Sequence, residues 1–415
     1  MTTRLALVPL DQGSIIARCV AKHPDDYGAF LERIPLVDAR NAPGPGLLVV
    51  NGQHLAQVAG KLAAILDRPV VAALLKDRFA LAIDASGEGF PIVPSILAQW
   101  HDVLDARGIP ADRVAYITHN EKAPAAAADW LRETGRQRGI RVLLHHPFLH
   151  LQALWVRDDR RAAEGELAAR RRYIAAEAPP PGAARFLCLN NKPHAHRMVV
   201  AGRILGGDLA AMTLLSLGGA TKGVAETELA PFLREARQIL PRFGADLDAI
   251  EARIDDLPLK VDGDDCENVV LAIPAALYAR SSVSIVTETN FVQSGVERFT
   301  EKSVKAFAAG QPALLAALPA TLRLLRGVGF ESFHPYIDES YDVIAKPQDR
   351  LAALLAEAER IGRLSDADFA ALLRHCRPAA EHNMHHAADA LPALMQRRLG
   401  ELTRALAWMA RPDGV

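Results

Sequence analysis

Three stretches of this chain carry charged side chains just after short apolar runs, and the chemistry they suit is phosphate binding and proton transfer. The first run, 283–287, is β-branched and ends on Glu288. A polar loop follows, and Phe299, Thr300, Glu301 and Lys302 then open an amphipathic stretch that closes at Gly310. Open α/β sheets bind ligands at the carboxyl ends of their strands. Glu301 and Lys302 fall at a helix start, where backbone N–H groups and the helix dipole favour a phosphate. A first-turn cation opposes that dipole, so Lys302 calls for an anion beside it. Glu301 suits the dipole with or without a ligand, and beside one it would accept from hydroxyls. In the second stretch Asn190-Asn191-Lys192-Pro193-His194-Ala195-His196-Arg197 follows the run 185–189. Lys192 and Arg197 there can embrace phosphate oxygens. In the third, Asp84-Ala85-Ser86-Gly87-Glu88-Gly89-Phe90 follows the run 80–84. Two glycines let a tight turn present Glu88, the first choice for a general base. His119, after the run 114–118, is the rival, because an ordinary imidazole titrates near neutral pH.

Other histidines carry less. His194 and His196 are spaced i, i+2, which does not put two ligands on one helical face. His382 and His386 are spaced i, i+4, but Asn383 follows His382 where a zincin helix would have Glu. A polar helix face explains that pair. His145 and His146 suit a cleft wall or hinge. No metal site is expected, and the acidic block 338–342 reads as a structural turn.

The elements needed to position these groups are legible as alternating short apolar runs and helical patterns. In the first half, strands are expected at 46–50, 69–75, 80–84, 114–118 and 140–144, with helices at 53–66, 94–106 and 124–138. This rhythm argues for a parallel sheet with helices on both faces. Residues 158–177 read as a solvated helix rich in Arg, Ala and Glu, and Pro179-Pro180-Pro181-Gly182 as a linker. Strands 185–189 and 212–217 open a second half, with helices over 227–254. The unit 283–318 reads strand, loop, helix, strand, and 352–410 reads almost wholly helical. The expected domains are 1–177, a linker at 178–184, 185–375, and a tail at 376–415.

The ordered set Glu288, Phe299, Glu301, Lys302, Gly310 and Pro312, with Gly329-Phe330 and the block 337–342 after it, resembles a known pattern. It is similar to the C-terminal, donor-binding half of nucleotide-sugar glycosyltransferases, and within them to the α-1,3-fucosyltransferase-like group and its bacterial relatives. The resemblance covers roughly the last third of the chain. Thr289 departs from it, since eukaryotic fucosyltransferases usually carry Asn after the acidic residue. The resemblance implies an α/β fold of two Rossmann-like domains (GT-B type) with a helical C-terminal tail that can cross back to the first domain. It implies an enzyme that moves a sugar from a nucleotide diphosphate donor to a glycan, lipid-linked or other acceptor, with inversion and without metal or other cofactor. Lys192, Arg197, Glu288, Glu301 and Lys302 would then bind the donor, and Glu88 or His119 would act on the acceptor. A non-catalytic nucleotide- or glycan-binding protein and a nucleotide-sugar epimerase are the alternatives on the same plan, because fold alone does not fix function.

Composition limits the partners. The 415 residues exceed a typical single core, so two domains are expected. Lys and Arg number 48 against 49 Asp and Glu, which leaves no basic excess for nucleic acid. Cys19, Cys188, Cys266 and Cys376 are far apart and form no CxxC pair, which fits buried thiols in a reducing compartment. The N-terminus lacks a long apolar run and no stretch of about 18 apolar residues occurs, so a cytoplasmic protein is expected, with peripheral membrane contact left open. The oligomeric state, the donor base, the sugar and the acceptor are not set by the sequence.

Overall fold

The structure, a computed structural model, describes residues 4–162, 165–176, 179–218, 229–257, 259, 261 and 272–411. The chain divides into two compact units. Unit 1 comprises Met1–His150, Ser294–Arg298 and Ala393–Val415, and unit 2 comprises Leu151–Gln293 and Phe299–Pro392. The chain is thus cut at 150/151, upstream of the Pro-rich segment expected to divide it. Residues 177, 178, 227, 228, 269–271 and Cys266, which figured in the expected linker, helices and thiols, lie outside the described residues.

Unit 1 is built on β1 (Leu5–Pro9), β2 (Leu31–Arg33), β3 (Gly46–Asn51), β4 (Phe79–Asp84), β5 (Val114–Thr118) and β6 (Arg141–Leu144). They pair in parallel in the order β2-β1-β3-β4-β5-β6. β4 and β5 are buried at every position, as expected for strands covered on both faces. Gly46 allows the closest approach in the sheet, since a Cβ there would lie 1.9 Å from the Phe79 ring. Trp100 and Tyr116, rings 5.3 Å apart, fill the core beneath.

One expected strand is a helix. Residues 69–75 lie in the helix Pro69–Lys76, with proline in its first turn. Its buried side chains are Val71, Leu74 and Leu75, a spacing that follows the helical period rather than the strand period of two. β1 and β2 were not foreseen at all.

Unit 2 holds β7 (Ala184–Asn190), β8 (Thr213–Leu217), β9 (Ser281–Thr287) and β10 (Ala313–Ala316), all parallel, in the order β10-β9-β7-β8. The expected strand, loop, helix, strand unit is β9, the helix Glu301–Ala308 and β10. The chain leaves β7 for β8 on one side and then returns to β9 on the other. The β7/β9 boundary is therefore the topological switch point, where open α/β sheets open a crevice.

The helix expected over 158–177 is two shorter helices, Pro147–Arg161 and Ala168–Ala175. Nor is the second one solvated throughout. Arg170 is 1% exposed and donates to the carbonyls of Ala309, Gly310, Tyr278 and Ser281. Four backbone acceptors replace the water that burial removes, although burial still pushes the guanidinium down to about 10. The tail is helical from Asp366–His385 through a π turn, His386–Ala390, to Leu391–Met409. His382 Nε2 bonds the Gly329 carbonyl and His386 Nε2 the Val328 carbonyl, so this pair holds a loop. Two Rossmann-like α/β units and a long C-terminal helical segment are the fold class expected. Among the described residues no helix is long and apolar enough to cross a membrane.

Candidate functional site

At the switch point of unit 2 the last residues of β7 and β9 meet. Thr287 Oγ1 donates to Asn190 Oδ1, and Asn190 Nδ2 donates to the Ser216 carbonyl, which ties β7, β8 and β9 together. Beyond Thr287 the Glu288 carboxylate meets the start of helix Glu301–Ala308. Glu288 is 2% exposed. It accepts from Thr300 N (2.9 Å), Thr300 Oγ1 (2.6 Å), Ser303 Oγ (2.6 Å), Ser303 N (3.3 Å) and Thr289 N (3.2 Å). Burial pushes its carboxyl up, but the Lys302 ammonium and the Ser303 and Thr300 donors outweigh that and hold it below the usual range. A carboxylate offers about four lone-pair sites. Five donors from the protein use them up, so the structure gives Glu288 to holding the start of Glu301–Ala308. The expectation of a ligand-facing carboxylate does not match this geometry.

Thr300 caps the same helix, accepting from Lys302 N. Lys302 Nζ lies 2.6 Å from Glu301 Oε1 and 3.4 Å from Thr289 Oγ1, with 31% of its side chain exposed. Glu301 therefore pairs with Lys302 as well as suiting the helix dipole. Lys305, three residues on, faces the same cluster. Burial pushes its ammonium down to about 8, Glu301 opposing and Lys302 adding to the shift. Lys305 was not among the expected site residues, although Glu-Lys-x-x-Lys at a helix start is a readable signal.

The turn after β7 lies on the other side of the switch point. Helix Ala195–Leu205 begins at His194, whose side chain does not cap it. His196 is buried, donates from Nε2 to the Glu288 carbonyl (2.8 Å) and stacks on Phe291. Arg197 is 3% exposed and donates to the carbonyls of Thr287, Glu288 and Lys192. Its Nε is buried with no hydrogen-bond partner. Lys192 itself is exposed. The structure thus brings Lys192, Arg197, Glu288, Glu301 and Lys302 together at one switch point. Arg350, absent from the sequence reading, completes the frame by donating to Phe291, Ala317, Ile344 and Ala345 carbonyls.

Glu88 and His119 belong to unit 1, at the carboxyl ends of neighbouring β4 and β5. Asp84 is fully buried and fixes the turn that bears Glu88. One oxygen takes Ser86 N and Ser86 Oγ, and the other takes Ser14 Oγ and Ile16 N at the start of helix Ile15–Lys22. Glu88 is half-buried. Gly89, at φ +57°, follows it, and a Cβ there would lie 2.7 Å from His119 Nε2 and 2.9 Å from Arg298 Cδ. His119 donates from Nδ1 to the Ser86 carbonyl, while its Nε2 accepts from Arg298 at 2.7 Å. Burial, and then Arg298, push His119 well below its ordinary value. It is a neutral acceptor whose lone pair is in use, and that bond must break before it takes a proton. Arg298, 179 residues away in sequence, carries no local signal that could have linked it to His119. Asn120 secures the segment that bears it, bonding Gly295 O and Glu297 N at 2.9 Å each.

Among the described residues no group of three or more His, Cys, Asp or Glu is placed to hold a metal ion.

No protein-family model matches the chain, and no curated protein matches it. Solved structures do. The α,α-trehalose-6-phosphate synthase of Burkholderia multivorans is 14% identical with a TM-score of 0.39, over 87% of this chain and 72% of that one. The E. coli trehalose-6-phosphate structure bound with UDP-2-fluoro glucose is 11% identical, TM-score 0.41, over 87% and 75%. The UDP-forming α,α-trehalose-phosphate synthase of Burkholderia vietnamiensis is 14% identical, TM-score 0.40, over 87% and 75%. None of the three is a fucosyltransferase, and at this level of likeness no residue role carries over.

Proposed function

We propose that the chain is a nucleotide-sugar-dependent glycosyltransferase of the GT-B type, with the donor diphosphate at the β7/β9 switch point of unit 2. The observation that carries this reading is the group of cationic side chains at that switch point, where open α/β sheets bind ligands. Lys302 and Lys192 lie at the starts of two helices that follow adjacent parallel strands, and the buried Nε of Arg197 has no hydrogen-bond partner. Negative charge grows on the leaving diphosphate as the sugar departs, and fixed cations and helix N–H groups aimed at it lower the barrier. Glu88 is the proposed base for the acceptor. The resemblance to the fucosyltransferase-like group supports inversion at the anomeric carbon. Incubation with nucleotide sugars and an acceptor mixture tests the reading. Release of nucleoside diphosphate together with a glycosylated acceptor supports it. An epimerised sugar with no acceptor requirement would overturn it.

Lys302→Ala is expected to fold and to lose most activity. One charge-assisted phosphate contact is worth about 2–3 kcal/mol in the transition state, roughly 30- to 150-fold in kcat/KM. Unchanged kcat/KM would remove Lys302 from the site.

Transfer is also expected to persist in excess EDTA, because Lys302, Arg197 and the helix starts supply the positive field. Complete loss with chelator, restored by Mg²⁺ or Mn²⁺, would contradict the metal-independent form of the proposal.

A further inference from the structure

We propose that His194 contacts the diphosphate of a bound nucleotide and takes up one proton from solvent as it does so. This rests on the donor-site reading above.

The geometry comes first. His194 is the residue from which helix Ala195–Leu205 starts, at the carboxyl end of β7 and beside the switch point. It is half-exposed, unlike its neighbour His196, which is buried. The two rings lie parallel, with centroids 6.2 Å apart, and His196 stacks in turn on Phe291 at 4.9 Å. Arg350 covers Phe291 at 4.6 Å. His194 is therefore the outer end of a stacked column that fixes its ring plane. No protein group hydrogen-bonds its ring nitrogens among the described residues, whereas His196 is committed to the Glu288 carbonyl. The buried Nε of Arg197, without a partner, is a second donor left over at the same turn.

The charges that act on His194 most strongly are positive. Lys192 and Arg197 flank it on its own segment, and Lys302 faces it from helix Glu301–Ala308. The ring of His196 adds no negative charge. Burial, then Arg197, Lys192 and Lys302, push the His194 imidazole down to about 4. At neutral pH the ring is uncharged. An anion beside those three cations removes the coulombic part of that shift and attracts the proton, while burial still opposes it. The folded pKa then rises, and a proton moves from buffer onto the ring at any pH between about 4 and the raised value. The imidazolium so formed donates to a phosphate oxygen with charge assistance. Glu301, paired with Lys302 at 2.6 Å, offsets that lysine's charge, so Arg197 and Lys192 carry most of the effect.

The test is calorimetric titration of the wild type and His194→Gln with UDP, GDP and inorganic pyrophosphate. Each titration is run at pH 6.5 and 8 in two buffers of different ionisation enthalpy. The nucleotide's own terminal phosphate titrates in this range, so the difference between the two proteins is read. The wild type is expected to take up more protons per ligand at pH 6.5 than His194→Gln. The variant is expected to bind about tenfold more weakly at pH 6.5 and to approach wild-type affinity at pH 8. Equal proton uptake by the two proteins, or an affinity ratio that does not change with pH, would overturn this role for His194 while leaving the donor site standing. Failure of UDP, GDP and pyrophosphate alike to bind the wild type would overturn the donor-site reading itself and this inference with it.

Discussion

Glu88→Gln is expected to lower kcat by about 10²–10⁴-fold, the rate a positioned base typically supplies. The substitution keeps the shape of the side chain and removes its basicity. Asp84 pins the turn through Ser86, so the backbone that presents residue 88 should be unchanged. Nucleotide affinity, measured by titration, is expected to stay at the wild-type level, because the proposed donor site lies in unit 2. His119→Ala is the companion variant. His119 holds Arg298 with its only lone pair. Its loss should loosen Arg298 and the segment Ser294–Arg298 rather than remove a base. Full turnover by Glu88→Gln, together with complete loss in a His119→Ala protein whose Tm is unchanged, would transfer the role to His119.

The second large effect is on stability. Glu288→Ala strands buried donors from Thr300, Ser303 and Thr289 and is expected to cost about 3–5 kcal/mol, as does breaking a buried charged pair. Glu288→Gln should cost less, about 1–3 kcal/mol, since the amide still accepts some of those bonds. The pH dependence has a defined sign. The folded pKa lies below the ordinary value of 4.5. The contribution is therefore complete above 4.5 and drains as pH falls through the lower folded value. Urea unfolding of wild type and variants from pH 7 to pH 3 measures this. With two units unfolding need not be two-state, so the transition of unit 2 is the one to follow. A Glu288→Ala protein as stable as wild type would show that the carboxylate is not the staple its five hydrogen bonds indicate.

How much was legible in the sequence differs from element to element. The segment from β9 to β10 was readable because its signals agree: a β-branched run, a Thr-Glu-Lys helix start, and Gly310-Gln311-Pro312 before a second apolar run. Gly310 sits at φ +59°, where glycine is the natural choice. Residues 69–75 were misread because a seven-residue apolar stretch fits both periods, and Pro69 at the first helical position was the overlooked signal. β2, only three residues long, is too short to carry a pattern. At the site, position was legible and partnership was not. Strand ends marked Glu288, Arg197, Glu88 and His119 as candidates. What each side chain bonds depends on residues far along the chain: Thr300 and Ser303 for Glu288, Thr287 for Arg197, and Arg298 for His119. Arg170 shows the same limit. In composition it belongs to a solvated helix, yet it is held by four carbonyls.

The central claim is that unit 2 binds a nucleoside diphosphate at the β7/β9 switch point through Lys302. A thermal-shift screen of wild type and Lys302→Ala against GDP, UDP, CMP and TDP tests it most directly. A ligand that binds only the native state stabilises it by about 2.7 kcal/mol at a hundred times its Kd, a rise of roughly 5–10 °C for a unit of this size. The account predicts that at least one nucleoside diphosphate raises the wild-type Tm by this order, that CMP does less, and that Lys302→Ala loses most of the shift. No shift with any of the four, or the same shift in Lys302→Ala as in wild type, would contradict it.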